Sequence, residues 1–215
     1  GGSGLGMLTK EFADELFSSG APLDAKRYFI VLPDGIGHGK SSKPSDGLKA
    51  KFPRYNYTDM VRAQHLVVTE ALGLKHVRLV LGNSMGGMQT WMWGESYPGF
   101  MDAIVPMASQ PTAMASRNWM MRRMIVDAIR NDPAWKGGDY AEQPQAFRTA
   151  NVFFGIATNG GSLAYQAEAP TREAADKLLD ARLARPYKGD ANDFLYQWDS
   201  SRDYDASAAL ERIEA

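Results

Sequence analysis

The chain of 215 residues contains no cysteine, no long apolar run and no marked excess of charge of either sign. Without cysteine there is no disulfide, no thiolate nucleophile and no Cys-based metal site. A formal net charge of −1 gives no electrostatic reason to expect nucleic acid or an anionic membrane as a partner. No run of about 18 apolar residues is present, so the sequence predicts no bilayer-spanning helix.

The composition is that of a globular protein. Hydrophobic residues make up 44% of the chain and charged residues 23%, which allows a buried core and argues against a disordered polymer. The length suits one domain, or one core with an inserted cap. The first residues, Gly-Gly-Ser-Gly, do not form a signal peptide. We expect a cytoplasmic protein, with a secreted or periplasmic origin left open.

Short apolar runs alternate with helical patterns in the first half of the chain. The predicted strands are residues 27–32, 76–81 and 103–108. The predicted helices between them run from a cap at Thr58 or Asp59 to a stop at Gly73, and from Met88 to Tyr97. This order predicts an α/β fold, in which a parallel sheet of apolar strands carries helices on its faces.

The second half shows helical patterns and no convincing strand. One amphipathic stripe consists of Met121, Met124, Ile125, Ala128 and Ile129. Further helices are predicted over 171–183, where Thr171 is the cap, and over 191–198 and 207–213. The sequence therefore predicts a partial α/β core at 1–108, a helical cap or lid at 109–206, and a return towards the core at 207–215.

Residues 82–87, Gly-Asn-Ser-Met-Gly-Gly, contain the pattern Gly-x-Ser-x-Gly between a predicted strand and a predicted helix. In that context the serine lies on a tight, strained turn above the carboxyl edge of the sheet. A hydroxyl becomes a nucleophile when a base removes its proton, and the next backbone N–H points to where an oxyanion forms. We therefore predict Ser84 as the nucleophile and Met85 as the oxyanion donor.

The glycines of this segment fit the same interpretation. Gly82, Gly86 and Gly87 lie where the strand and the helix approach each other closely, so these positions must be small. The alternative is a glycine-rich turn that binds phosphate at a helix N-terminus. The Gly-Lys-Ser/Thr of a P-loop is absent, which disfavours that alternative.

Two segments resemble a known family. Residues 82–89, Gly-Asn-Ser-Met-Gly-Gly-Met-Gln, and residues 59–64, Asp-Met-Val-Arg-Ala-Gln, are similar to motifs of the homoserine O-acetyltransferase branch of the α/β-hydrolases. The resemblance implies an α/β-hydrolase-type sheet with a helical cap, an acyl-enzyme on Ser84 and an oxyanion contact from Met85. It further implies that Gly1 and Gly2 belong to the family's second oxyanion loop, with an expression linker as the alternative.

The loop at residues 32–44 departs from that branch. It is similar to the D-x-x-G-H-G-x-S-x-x-P loop of generic α/β-hydrolases, such as esterases and epoxide or haloalkane hydrolases. This departure favours hydrolysis over acetyl transfer.

The catalytic base is not in the family's usual place. The family orders its triad as Ser, then Asp or Glu, then His, whereas this chain has its histidines at positions 38, 65 and 76, all before Ser84. His38 is a candidate base, with a structural role in its loop as the alternative, and the other two are expected to be structural. The late acids Asp199, Asp203 and Asp205 are candidate triad acids, with exposed loop carboxylates as the plainer interpretation.

Substrate contacts are predicted on the first cap helix. Arg117, Arg122 and Arg123 are candidates for binding a substrate carboxylate, with a solvated helix face as the alternative. Trp119 belongs to a Met/Trp cluster that lines an acyl pocket or packs in the core. The sequence shows no metal-spaced cluster and no dinucleotide fingerprint, so we predict no metal and no cofactor.

The sequence thus predicts a serine-nucleophile enzyme that transfers an acyl group from Ser84 to water or a small alcohol. One alternative is a homoserine O-acetyltransferase-like enzyme that uses acetyl-CoA as co-substrate. Another is a non-catalytic fragment that needs a second segment carrying Asp and His. The expected partners are a small ester or acyl substrate and a second polypeptide segment or a homodimer, and neither nucleic acid nor membrane.

Overall fold

The computed structural model describes residues 3–158, 161–186 and 189–215. The chain divides into two compact units. The first comprises residues 1–43, 53–114 and 200–215, and the second comprises residues 44–52 and 115–199. The first unit contains the sheet and Ser84, and the second is built from helices. The role of the second unit as a cap, and the predicted divisions at residues 108 and 206, stay predictions.

The first unit is built on two parallel strands, β1 (Val80–Asn83) and β2 (Ile104–Met107). Val80 pairs with Ile104 and Asn83 with Met107, and an isolated bridge joins Val77 to Met101. The helices of this unit are α1 (Lys10–Phe17), α2 (Tyr57–Leu66) and α3 (Met85–Ser96), with shorter turns at Gly4–Met7, Val67–Ala71 (a π-helix) and Ser207–Arg212. Parallel strands joined through α3 form a βαβ unit, which confirms the predicted α/β fold.

The helix before β1 begins earlier than the sequence predicted. Asn56 is its cap, not Thr58 or Asp59. The Asn56 side chain accepts a hydrogen bond from the Asp59 N–H at 3.0 Å, and the Asp59 carboxylate accepts one from the Asn56 N–H at 3.0 Å. This reciprocal capping box places Asp59 at the third helical position. Gly73, with φ +67°, follows the end of this helical segment, as predicted.

The strand predicted at residues 27–32 is wrong. Arg27 and Tyr28 lie in a turn, where both N–H groups donate to the Asp24 carbonyl at 2.9 and 3.1 Å. Phe29 is 77% exposed, and residues 29–35 form no sheet ladder within the part of the chain that the structure describes. An apolar run indicates burial, but a strand also needs a paired neighbour.

An apolar cluster joins several helices of the second unit. Its helices are α4 (Ser116–Arg130), α5 (Gln145–Thr158), α6 (Gly161–Glu168), α7 (Arg172–Ala184) and α8 (Ala191–Asp199), with short turns at Pro44–Asp46, Lys49–Lys51 and Pro133–Gly138. The cluster joins Ile125 and Ile129 of α4 to Phe147 of α5 and to Phe194 and Trp198 of α8. The sequence missed α5 and α6, while the predicted cap Thr171 accepts from the Ala174 N–H at 3.2 Å.

The buried stripe of α4 differs from the predicted one. Arg122, Ile125, Val126 and Ile129 are buried, whereas Met124 is 60% exposed. Only Ile125 and Ile129 belong to both stripes. The buried face therefore lies about one residue further along the helix than the face that the apolar residues predicted. The difference arises because a charged arginine occupies a buried position. Among the helices of the described residues, none combines the length and apolar character needed to span a bilayer.

Candidate active site

The backbone of Ser84 forms a strained turn between β1 and α3. Its φ of 54° and ψ of −115° lie in a region that non-glycine residues rarely adopt, which costs roughly 1–3 kcal/mol. The Ser84 N–H donates to the Met107 carbonyl at 2.9 Å, and the Ser84 carbonyl accepts from the Met88 N–H at 3.0 Å. Ser84 therefore makes both the last hydrogen bond next to β1 and the first hydrogen bond of α3. The residue is exposed, so its hydroxyl is accessible at the carboxyl edge of the strands.

Two glycines are required by the close approach of the elements around this turn. A Cβ on Gly82 would collide with the backbone of Gly86 and lie 2.6 Å from Thr90 Oγ1. A Cβ on Gly87 would lie 2.5 Å from the Met107 carbonyl oxygen and 2.5 Å from Ser109 Oγ. Real Cβ atoms do not approach other atoms so closely, so both positions must lack a side chain.

Met85 is the first residue of α3, and its side chain is buried. The first N–H groups of a helix have no acceptor within the helix and lie at the positive end of its dipole. The Met85 N–H therefore has the placement that an oxyanion donor needs. Gly86 follows it, and its carbonyl accepts from Thr90 Oγ1 at 2.9 Å.

A glycine-rich loop is organised around Asp34. The Asp34 carboxylate accepts from the Gly4 N–H at 2.6 Å and from the Lys40 N–H at 2.8 Å, and the Asp34 carbonyl accepts from Ser41 Oγ at 2.8 Å. The hydrogen bonds from Lys40 and Gly4 lower the pKa of the Asp34 carboxyl. Gly4 is buried, so the start of the described chain packs on this loop. Gly1 and Gly2 lie outside the described residues, and their oxyanion role stays a prediction.

Each histidine makes a local contact. His38 Nδ1 lies 3.0 Å from the Ile36 carbonyl oxygen. The His65 ring stacks on Tyr97 at 3.8 Å between centroids, and burial lowers the pKa of His65. His76 Nε2 lies 2.8 Å from the Asp102 carboxylate.

The His76–Asp102 pair has the composition of a catalytic dyad, but its position in the sheet argues against that role. Both residues precede their strands, so they lie at the amino edge of a parallel sheet whose carboxyl edge carries Ser84. Arg78 also donates to Asp102, at 2.7 Å. The hydrogen bonds from Arg78 and His76 lower the pKa of the Asp102 carboxyl, as expected for a surface ion-pair cluster.

The three late acids have local partners. Asp199 is 6% exposed and lies 3.8 Å from an Arg130 nitrogen in the second unit. Asp203 accepts from the Asn56 amide at 2.9 Å. Asp205 accepts from the hydroxyl and the N–H of Ser207, and these bonds lower the pKa of its carboxyl. Asp203 and Asp205 are exposed and have turn and surface contacts, whereas Asp199 is buried at the end of α8, so the exposed-loop interpretation is wrong for Asp199.

The predicted substrate residues on α4 do not share one environment. Arg122 is 4% exposed, donates to Asn118 Oδ1 at 2.9 Å and lies 4.9 Å over the Trp198 ring. Arg123 and Arg117 are exposed, and Arg123 donates to Asp127 at 2.7 Å. Trp119 is half-buried. Substrate binding by these four residues stays a prediction. The described chain holds no group of three or more potential metal ligands.

The sequence predicted no role for Gln64 of α2 or Gln89 of α3. Helix α3 begins at the turn of residues 82–87, which we call the elbow. The Gln64 amide donates to Gln89 Oε1 at 2.6 Å, and Trp93 Nε1 donates to Gln64 Oε1 at 2.9 Å. Gln89 is 4% exposed. The sequence signal for such a contact is a glutamine at a helix position that faces the core. A buried amide needs specific hydrogen-bond partners, so its presence there indicates one.

The model of the alpha/beta hydrolase fold family matches residues 6–150. The chain belongs to this α/β-hydrolase family. Within it, the chain is similar to a homoserine O-acetyltransferase of Mycolicibacterium paratuberculosis, at 31% identity over all of this chain and 54% of that protein. It is also similar to a homoserine O-succinyltransferase of Magnetococcus marinus, at 30% identity over 94% of this chain and 53% of that protein. The chain spans about half the length of these relatives.

Solved structures give the same fold for this α/β-hydrolase chain. The acetyl esterase MekB superposes with a TM-score of 0.80 over all of this chain and 66% of that chain, at 24% identity. A homoserine O-acetyltransferase of Bacillus anthracis superposes with a TM-score of 0.69 over 89% of this chain and 59% of that chain, at 23% identity. The relatives and solved structures named here thus include acyltransferases and an esterase.

Proposed function

We propose that Ser84 is the nucleophile of an acyl-transfer enzyme and passes its acyl group to water or a small alcohol. The observation that carries this proposal is the backbone of Ser84, a non-glycine residue with φ 54° at the junction of a parallel strand and a helix. Strain of this kind persists only where the surrounding structure enforces it, and it clusters at functional sites. Ser84 is also exposed, which an attacking hydroxyl requires.

The proposed reaction has two steps: acylation of Ser84, and transfer of the acyl group to the acceptor. A base removes the Ser84 Oγ proton while Oγ attacks the acyl carbonyl, and the Met85 N–H donates to the resulting oxyanion. The tetrahedral intermediate collapses, the acyl C–O or C–S bond breaks, and the leaving group takes the proton. In the second step the base takes the acceptor's proton as the acceptor's oxygen attacks the acyl carbon. The bond between the acyl carbon and Ser84 Oγ then breaks, and the base returns the proton to Oγ.

The acceptor distinguishes two candidate functions. Water as acceptor makes the enzyme an esterase, which the generic hydrolase loop around Asp34 favours. A homoserine-like alcohol, with acetyl-CoA as donor, makes it an O-acetyltransferase. The similarity to homoserine O-acetyl- and O-succinyltransferases supports this second candidate.

The base is proposed to come from outside these 215 residues. His38, His65 and His76 all precede Ser84, and each has the local contact described above. A further segment of the same protein, or a second polypeptide, would then supply both His and Asp. On this proposal the 215 residues alone are inactive, and addition of the complementary segment restores turnover.

The experiment follows acylation of the full protein by p-nitrophenyl acetate. We expect a burst of p-nitrophenol equal to the enzyme present, and an acetyl adduct on the peptide that carries Ser84. Added homoserine should accelerate the second phase and yield O-acetylhomoserine if the enzyme is a transferase, and should leave hydrolysis unchanged if it is an esterase. An adduct on another residue would refute the proposal.

A further inference from the structure

We infer that Gln64 and Gln89 form an amide clamp that positions the catalytic elbow, and this inference rests on the proposed role of Ser84. The clamp joins the two segments that resemble the family motifs, residues 59–64 of α2 and residues 82–89 of α3. We define the amide clamp as these two glutamines. They are positioning residues, since neither is placed in contact with the reacting atoms.

The clamp acts on the face of α3 that begins at the oxyanion donor. Met85, Gln89 and Trp93 follow one another at intervals of four residues, so they lie on one face of the helix. All three are buried, with exposures of 5%, 4% and 5%. Any rotation of this face therefore moves the Met85 N–H and the strained turn before it.

The opposing face belongs to α2, where Met60 and Gln64 are also four residues apart. Gln64 bonds two residues of α3 at once, donating to Gln89 Oε1 at 2.6 Å and accepting from Trp93 Nε1 at 2.9 Å. The Gln89 amide nitrogen donates in turn to Met60 Sδ at 3.6 Å. This chain of contacts satisfies both ends of the Gln89 amide.

Hydrogen bonds between buried amides fix the position of one helix relative to another more closely than apolar packing does. Apolar side chains tolerate small shifts of one helix along another, whereas a buried amide loses its partners when the helix slides or turns. The Asn56–Asp59 capping box stabilises the first turn of α2, the helix that carries Gln64. Displacements of about 1 Å at a catalytic centre can cost on the order of 100-fold in rate. The amide clamp thus contributes to the rate of acyl transfer at Ser84 as well as to the stability of the folded protein.

The test replaces each glutamine with methionine, which keeps the length and apolar volume of the side chain but cannot form the amide bonds. Steady-state turnover of p-nitrophenyl acetate by the full protein is measured at a temperature where every variant is folded. We expect Gln64→Met and Gln89→Met each to lower kcat by about 10-fold with KM within about twofold. The double variant should lose no more than either single variant, because the two residues act as one unit.

Asn192→Leu is the matched control. Asn192 is also a buried amide that accepts from an indole, since Trp135 Nε1 donates to it at 2.8 Å, but it belongs to the second unit. This variant should lower the unfolding temperature and leave kcat unchanged. If the methionine variants behave like this control, the clamp is merely structural and the inference is overturned. Failure of wild-type Ser84 to become acylated would instead overturn the proposed function, and the inference with it.

Discussion

Ser84→Ala is expected to lower acyl transfer by at least about 10³-fold, because removal of a nucleophile leaves only the oxyanion contact and substrate binding. The variant should fold like the wild type, since Ser84 supplies backbone hydrogen bonds that alanine keeps. Ser96→Ala is the matched control, as Ser96 is an exposed serine at the other end of α3. Steady-state rates with a small ester measure both variants. An equal loss in both, or no loss in Ser84→Ala, would contradict the assignment.

Ser84→Gly separates strain from chemistry at the same position. Glycine adopts positive φ without the steric cost that serine bears, so this variant should be more stable than Ser84→Ala by about 1 kcal/mol. It should be as inactive as Ser84→Ala. Chemical denaturation of the two variants measures the difference. If glycine gives no gain in stability, the turn at Ser84 is not strained in solution.

Gly82→Ala is expected to destabilise the protein by about 3 kcal/mol or more, at the upper end of overpacking effects. The added Cβ would meet the backbone of Gly86, which cannot move without shifting the first turn of α3. The free energy of unfolding should therefore fall, and the remaining folded protein should acylate more slowly. Denaturant titration and burst amplitude measure the two effects.

Gly155→Ala provides the comparison for this substitution. Gly155 lies within α5, and a Cβ there would meet nothing within 4 Å. Alanine in a helix interior is favoured over glycine by roughly 0.5–1 kcal/mol, so this variant should gain stability and keep its activity. A similar response of Gly82 and Gly155 would show that close approach at the elbow does not constrain the sequence.

The elbow could be predicted from the sequence because its constraints are local. Gly82 must be small because a Cβ there would meet Gly86 and Thr90, four and eight residues further along the chain. The strand and helix around the turn also have strong patterns of their own. Ser84 was therefore assigned correctly to a strand-to-helix turn. Its catalytic role rests on the experiments described here.

Features that depend on distant partners could not be predicted. The apolar run at 27–32 predicted a strand, but pairing requires a neighbour that the run itself does not specify. The α4 stripe was misplaced because Arg122 is buried against Trp198, more than 70 residues away in the sequence. The Gln64–Gln89 bond joins two helices, so neither residue's own surroundings in the sequence indicate it.

The identity of the nucleophile is tested most directly by labelling the full protein with a fluorophosphonate and mapping the adduct by peptide mass spectrometry. The probe loses fluoride as a serine oxygen bonds to its phosphorus. We expect one adduct, on Ser84, and no adduct in Ser84→Ala. Equal labelling of the wild type and Ser84→Ala, or an adduct on a different serine, would contradict the assignment of Ser84 as the nucleophile.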